Sequence, residues 1–164
     1  MTFAISTNLI GTQPIADTST VKNHPLGTIV RAVDPTLGEG EFIYLLGVAS
    51  TVVGSIVNYD DNFQTALDTS AVSGPSRPLA IAMSANVASQ YGWYQISGLA
   101  VAKKANSVSF ADGAGLGAAS GLAVAVATGT VIQSAVVRTV ASAKSDVTTV
   151  AIAINRPHDP SDVS

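Results

Sequence analysis

Cysteine is absent from the 164 residues, which excludes disulfides and every thiolate metal site. Charge is scarce too: 12% of the chain is Asp, Glu, Lys or Arg, about half the usual share for a soluble domain, and the formal net charge is -3. The surface must then be made largely of Ser, Thr, Asn, Gln and Gly, or much of it is hidden in contacts. Lys103 and Lys104 are the one adjacent basic pair, too weak a field to hold a phosphate backbone, so no direct nucleic-acid partner is expected. Histidine occurs twice, at His24 and His158, each beside a proline in a terminal segment and without His-x-His or His-x-x-x-His spacing. Both are read as solvent-exposed turn residues, and no metal and no cofactor is expected. No apolar run reaches the roughly 18 residues of a membrane helix. The nearest, Gly113 to Val131, is broken by Ser120, Thr128, Gly129 and Thr130, and Met1 to Asn8 lacks the positive start of a secretory signal. A soluble chain with no membrane partner is the expectation.

What the chain does contain is a succession of short β-branched runs between turns. Residues 1–26 hold no sustained apolar period and are rich in Thr, Ser, Asn and Pro, so they read as an extended arm closed by the turn Asn23-His24-Pro25-Leu26-Gly27. The body spans residues 27–156. Its expected strands are 28–33, 41–48, 54–59, 79–83, 91–98, 99–102, 107–110, 122–127, 131–137 and 147–155, with one helix near 82–90. Phe42, Tyr44 and Leu46 fall on one face and Ile43 and Leu45 on the other, which predicts a strand covered on both sides. About ten strands at this spacing predict a mainly β fold, a small β-barrel or a jelly-roll-like sandwich, with residues 157–164 as a polar tail. Alanine is common in these runs, and its small side chain implies close approach between layers or subunits. With 4 Phe, 4 Tyr and 1 Trp as the large fillers, a thin barrel assembled into an oligomer suits the inventory.

Candidate chemistry is sparse. Asp60-Asp61-Asn62 offers oxygen donors to a hard cation but lacks the twelve-residue calcium loop, and it reads as a turn. The run Asp112-Gly113-Ala114-Gly115-Leu116-Gly117-Ala118-Ala119-Ser120-Gly121 has Gly-x-Gly-x-Gly in place of the dinucleotide fingerprint and no Gly-Lys-Ser/Thr, so it reads as a glycine hinge or bulge between strands. Ser73-Gly74 and Ser97-Gly98 lack a nucleophile elbow and a partner histidine. Glu39 and Glu41 lie beside turn glycines as strand-entry residues and not as opposed acids in a cleft. No catalytic residue, and no enzyme, is expected. Tyr91-Gly92-Trp93-Tyr94-Gln95-Ile96 alternates Tyr91, Trp93 and Gln95 against Tyr94 and Ile96. One face is core, and the other is a second core layer or an interface.

Three stretches carry a family resemblance: Leu26 to Pro35, Gly38 to Val48, and Gly92-Trp93-Tyr94-Gln95-Ile96-Ser97-Gly98-Leu99-Ala100. Over residues 20–155 the chain resembles the small capsid decoration, or cement, proteins of tailed bacteriophages. That resemblance implies a small β-barrel with an N-terminal arm and no catalytic residues. It also implies the major capsid protein as partner, self-association as a homotrimer, and a place on the outer surface of the virion head, where each copy bridges capsid subunits. A tail, collar or fibre-associated virion role is the nearest alternative, and a carbohydrate-binding module with Trp93 or Tyr94 exposed is a more distant one.

Overall fold

A computed structural model describes residues 4–5, 11–69, 76–106, 108–126, 131–139 and 148–159. They form the strands β1 Ala4–Ile5, β2 Thr18–Ser19, β3 Ile29–Asp34, β4 Gly38–Leu46, β5 Ile56–Tyr59, β6 Thr65–Leu67, β7 Leu79–Ala82, β8 Tyr91–Lys103, β9 Gly117–Ala119, β10 Leu122–Val124, β11 Gln133–Val137 and β12 Thr149–His158. The mainly β class is as expected. No helix is found among the described residues, so the helix expected near 82–90 is corrected to a loop. Its reason is Asn86, fully enclosed, whose Nδ2 donates to the Tyr94 hydroxyl at 3.0 Å and toward the Leu45 carbonyl at 3.5 Å. Those partners on β4 and β8 are better satisfied by an irregular backbone than by a helix that points Asn86 elsewhere.

The main sheet runs β1-β3-β4-β8-β7-β5-β6, with every neighbour antiparallel. It curls until its two arms touch: the Leu46 N–H donates to the Phe63 carbonyl at 3.1 Å, Thr65 Oγ1 donates to the Leu46 carbonyl at 2.8 Å, and Leu46 bridges Gln64. One bridge is less than a paired seam. Inside the curl pack Ile43, Leu45, Val57, Ala80, Ala82, Tyr94 and Ile96. The alternation of β4 and β8 sends their other residues outward, where Phe42, Tyr44 and Trp93 join Val30, Ala32, Met83 and Ile15 in a second cluster.

A third cluster lies on the outer side of β5 and β7, where Ile56, Leu79 and Ile81 meet Val150, Ile152 and Ile154 of β12 and Val137 of β11. The β9–β10 hairpin, its Ser120-Gly121 turn at φ 50° and 76°, lays Ala118 and Ala123 onto this cluster. Two successive positive φ values are what a two-residue hairpin turn requires, and the glycine run expected as a hinge between strands is this hairpin and its approach. Buried alanines recur in all three clusters, so the close approach implied by their abundance occurs between layers of one chain.

The strand β8 is continuous where two strands, 91–98 and 99–102, are expected. It bends at Gly98, φ 102°, where an added Cβ would lie 2.5 Å from the Glu39 carbonyl oxygen. Only glycine accommodates both the backbone and the contact. Before the bend Gln95 pairs with Ile81 of β7; from Ser97 onward β8 pairs with β12, whose far end bridges Pro78 through His158. The strand β12 therefore enters a fork between β7 and β8. The expected strand at 107–110 is not formed over 108–110: the Lys104 ammonium donates to the Val108 carbonyl at 2.7 Å and Val108 N–H donates to the Ala105 carbonyl, which makes a turn. Residue 107 lies outside the described residues.

Candidate functional site

The aromatic strand singled out in the sequence is the seat of the N-terminal stretch. Trp93 and Tyr44 lie with ring centroids 4.9 Å apart, His24 meets the Tyr44 ring edge-on at 5.1 Å, and Tyr91 stacks on Tyr44 at 6.3 Å. Gln13 ties the group together. Its backbone carbonyl accepts the Trp93 indole N–H at 2.9 Å, and its side-chain oxygen accepts the Tyr44 hydroxyl and the Asn23 amide, both at 3.0 Å. Its Nε2 donates to the Asp17 carbonyl at 2.8 Å, and its N–H donates to His24 Nε2 at 3.1 Å. Residues 11–26, expected within the arm, are thus laid against the sheet with Gln13 and Ile15 buried. His24 is not the exposed turn residue expected of it; contact with Tyr44 and Trp93 half-buries it, a long-range effect invisible in its local sequence.

His158 is likewise corrected. It ends β12, opposite Gln133 and Pro78, with Nδ1 within 3.3 Å of Ser76 Oγ. The two histidines stay in different parts of the fold, and among the described residues no three His, Asp or Glu side chains gather as a metal site would require. Asp60 is a turn residue as expected: its Oδ1 accepts the N–H groups of Asn62 and Gln64, both at 2.9 Å. The Gln64 N–H, followed by that of Asn62 and the charge of Arg77, holds its carboxyl below the usual range. Burial pushes the Tyr94 hydroxyl up to about 12, so it stays a neutral donor and acceptor in the core. Ser73-Gly74 lies outside the described residues. Ser97 has no histidine beside it in the sheet; its neighbours are Glu41 and Asn155.

Those neighbours form a polar rung across four strands. Arg31 of β3, Glu41 of β4, Ser97 of β8 and Asn155 of β12 lie side by side. Glu41 is shared: its Oε1 takes Arg31 Nη2 at 3.3 Å and its Oε2 takes Arg156 Nη2 at 3.0 Å, while Glu39 reaches Arg31 at 3.8 Å. Sequence reading placed Glu39 and Glu41 correctly as strand-entry residues but carried no sign of Arg156 as partner. Along the rung runs an open groove of about 320 Å³. Beside it, β3 alternates, with Val30 and Ala32 buried and Ile29 and Val33 exposed at 41% and 42%. The result is a nearly charge-balanced face with two large aliphatic side chains in water. Trp93 and Tyr94 are both fully enclosed and present no aromatic platform.

Among the described residues no helix is long and apolar enough to cross a membrane. No protein-family model, no curated protein and no solved structure matches the chain.

Proposed function

We propose that the protein is a structural virion component that binds the outer surface of an icosahedral phage head and stabilises it by bridging major capsid subunits, acting as a homotrimer. The observation that carries this reading is the face of β3, where exposed Ile29 and Val33 flank the Arg31–Glu41–Arg156 network. Exposed aliphatic groups rimmed by balanced charge suit a protein–protein contact, and the low overall charge fits a chain that spends its life in such contacts. The resemblance of residues 26–35, 38–48 and 92–100 to cement proteins supplies the partner, and the curl of the sheet is compatible with the small barrel that such proteins use. On a shell with many equivalent seats, modest contacts at each copy add through multivalency. The mechanism is mechanical: opening a seam between capsid subunits requires losing the contacts of every copy that spans it.

The enclosure of Trp93 and Tyr94 disfavours the carbohydrate-binding reading, which needs one of them in solvent. A tail, collar or fibre position remains the competing assignment within the virion. The test is co-sedimentation of the purified chain with undecorated heads, using wild type and an Ile29→Ser/Val33→Ser double variant. The proposal expects wild type to pellet with heads and the variant to bind at least about tenfold more weakly with little change in Tm. Failure of wild type to pellet with heads would reject the proposal. Equal binding by the variant would reject the β3 face.

A further inference from the structure

Far from that face, two carboxyl groups meet in the interior. Asp68 follows β6 and is 1% exposed; Asp159 follows β12 and is 8% exposed. They are hydrogen-bonded to each other, which requires a proton on one of them. The surroundings are specific. Asp68 Oδ1 accepts the Asn58 amide at 3.1 Å, and the Asp68 carbonyl accepts the Gly121 N–H at 2.8 Å, which anchors it to β5 and the β9–β10 turn. Asp159 is held by its backbone: its N–H donates to the Arg77 carbonyl at 2.9 Å and its carbonyl accepts Ser76 Oγ at 2.7 Å. Its Oδ1 is buried with no hydrogen-bond partner. A carboxylate stranded in that position is costly, whereas a neutral acid is not.

We propose that Asp68 and Asp159 form a proton-dependent latch, which fastens the end of β12 between β7 and the segment after β6 and loosens it when the shared proton is lost. The latch closes the fork described above, since β12 beyond Asn155 has left β8 and is held by the Pro78–His158 bridge and by Asp159. Burial first, then the Asp68 charge and the hydrogen bond to it, raise the Asp159 pKa to about 7 from an ordinary 3.8, against a lowering by Arg77. The other titratable groups recorded here are His158, whose Nδ1 lies 3.0 Å from the Asp159 carbonyl oxygen, and Asp60, which shares the field of Arg77. Because the folded chain keeps a proton that the unfolded chain releases near 3.8, the contribution to stability is complete below that value. It is lost as pH rises through about 7. The latch stands on the Asp68–Asp159 contact alone and is independent of any role on a capsid.

The experiment compares full-length wild type with Asp159→Asn, whose amide supplies permanently the donor that the protonated acid supplies conditionally. Between pH 5 and pH 8, wild type should lose on the order of 5 °C more in Tm than the variant. The hydrogen-exchange protection factor of the Asp159 amide in wild type should fall about tenfold, and that of residue 159 in the variant should not. Asp68→Asn serves as a second probe with the same expected flattening, in case either substitution impairs folding. Parallel pH profiles of wild type and both variants would overturn the latch. So would a rise in the Tm of wild type at pH 8 on adding calcium chloride that both variants lack, because the pair would then be a cation site.

Discussion

Replacing Gln13 by Ala tests whether the stretch before β3 belongs to the core. The side chain accepts the Tyr44 hydroxyl and the Asn23 amide and donates to the Asp17 carbonyl. Tyr44 is 0% exposed, so its hydroxyl would lose that partner where water does not reach. A buried donor stranded in this way costs ~1–3 kcal/mol, and the rim bonds to Asn23 and Asp17 add about 1 kcal/mol net. The sum, about 2–4 kcal/mol, corresponds to a fall in Tm of roughly 5–12 °C for a chain of this size. Calorimetry gives the Tm, and urea titration followed by the fluorescence of Trp93, the single tryptophan, gives the free energy. Gln133→Ala is the control, since Gln133 is exposed and its Nε2 reaches only the Val131 carbonyl; it should stay within about 0.5 kcal/mol of wild type. A Gln13→Ala chain equally close to wild type would refute the account of residues 11–26 as part of the packed body.

Other substitutions follow from the same geometry. Gly98→Ala forces a Cβ against the Glu39 carbonyl at positive φ and should destabilise by about 3 kcal/mol or prevent folding, measured by urea titration. Tyr94→Phe leaves the Asn86 amide with only its long contact to Leu45, at a cost of ~1–3 kcal/mol by the same measurement. Glu41→Ala breaks the bridge between Arg31 and Arg156 on the surface and should cost no more than about 1 kcal/mol, an effect that shrinks further in high salt. Truncation of residues 1–10 should leave the body folded, whereas truncation of residues 1–25 removes Gln13, Ile15 and His24 and should lower the Tm sharply; scanning calorimetry of the two constructed lengths separates them.

Local pattern carried the strands whose two faces differ. The alternation of Phe42 to Leu46 and of Tyr91 to Ile96 is a period-two signal, and both segments are strands with apolar clusters on each side. The Asp60 turn was legible for the same local reason, because an Asx side chain caps its own loop. What was not legible depends on residues far apart in sequence. His24 reads as a turn residue until Tyr44 and Trp93 close over it. The loop at 84–90 has a helix-compatible composition, and only the Asn86 contacts with β4 and β8 decide against one. Gly98 looks like a strand break because glycine punctuates sequence, yet here it bends one strand so that β12 can enter beside it. The Asp68–Asp159 pair has no sequence signature at all, since neither acid lies in a cluster and the contact exists only once β12 has crossed to the β7 side.

Electron-microscopic reconstruction of phage heads with and without this chain tests the central claim most directly. The account predicts extra density on the outer surface, in three-fold clusters that bridge adjacent capsid subunits, with the β3 face turned toward the shell. Identical heads in the two reconstructions, with the chain recovered on tails instead, would contradict it.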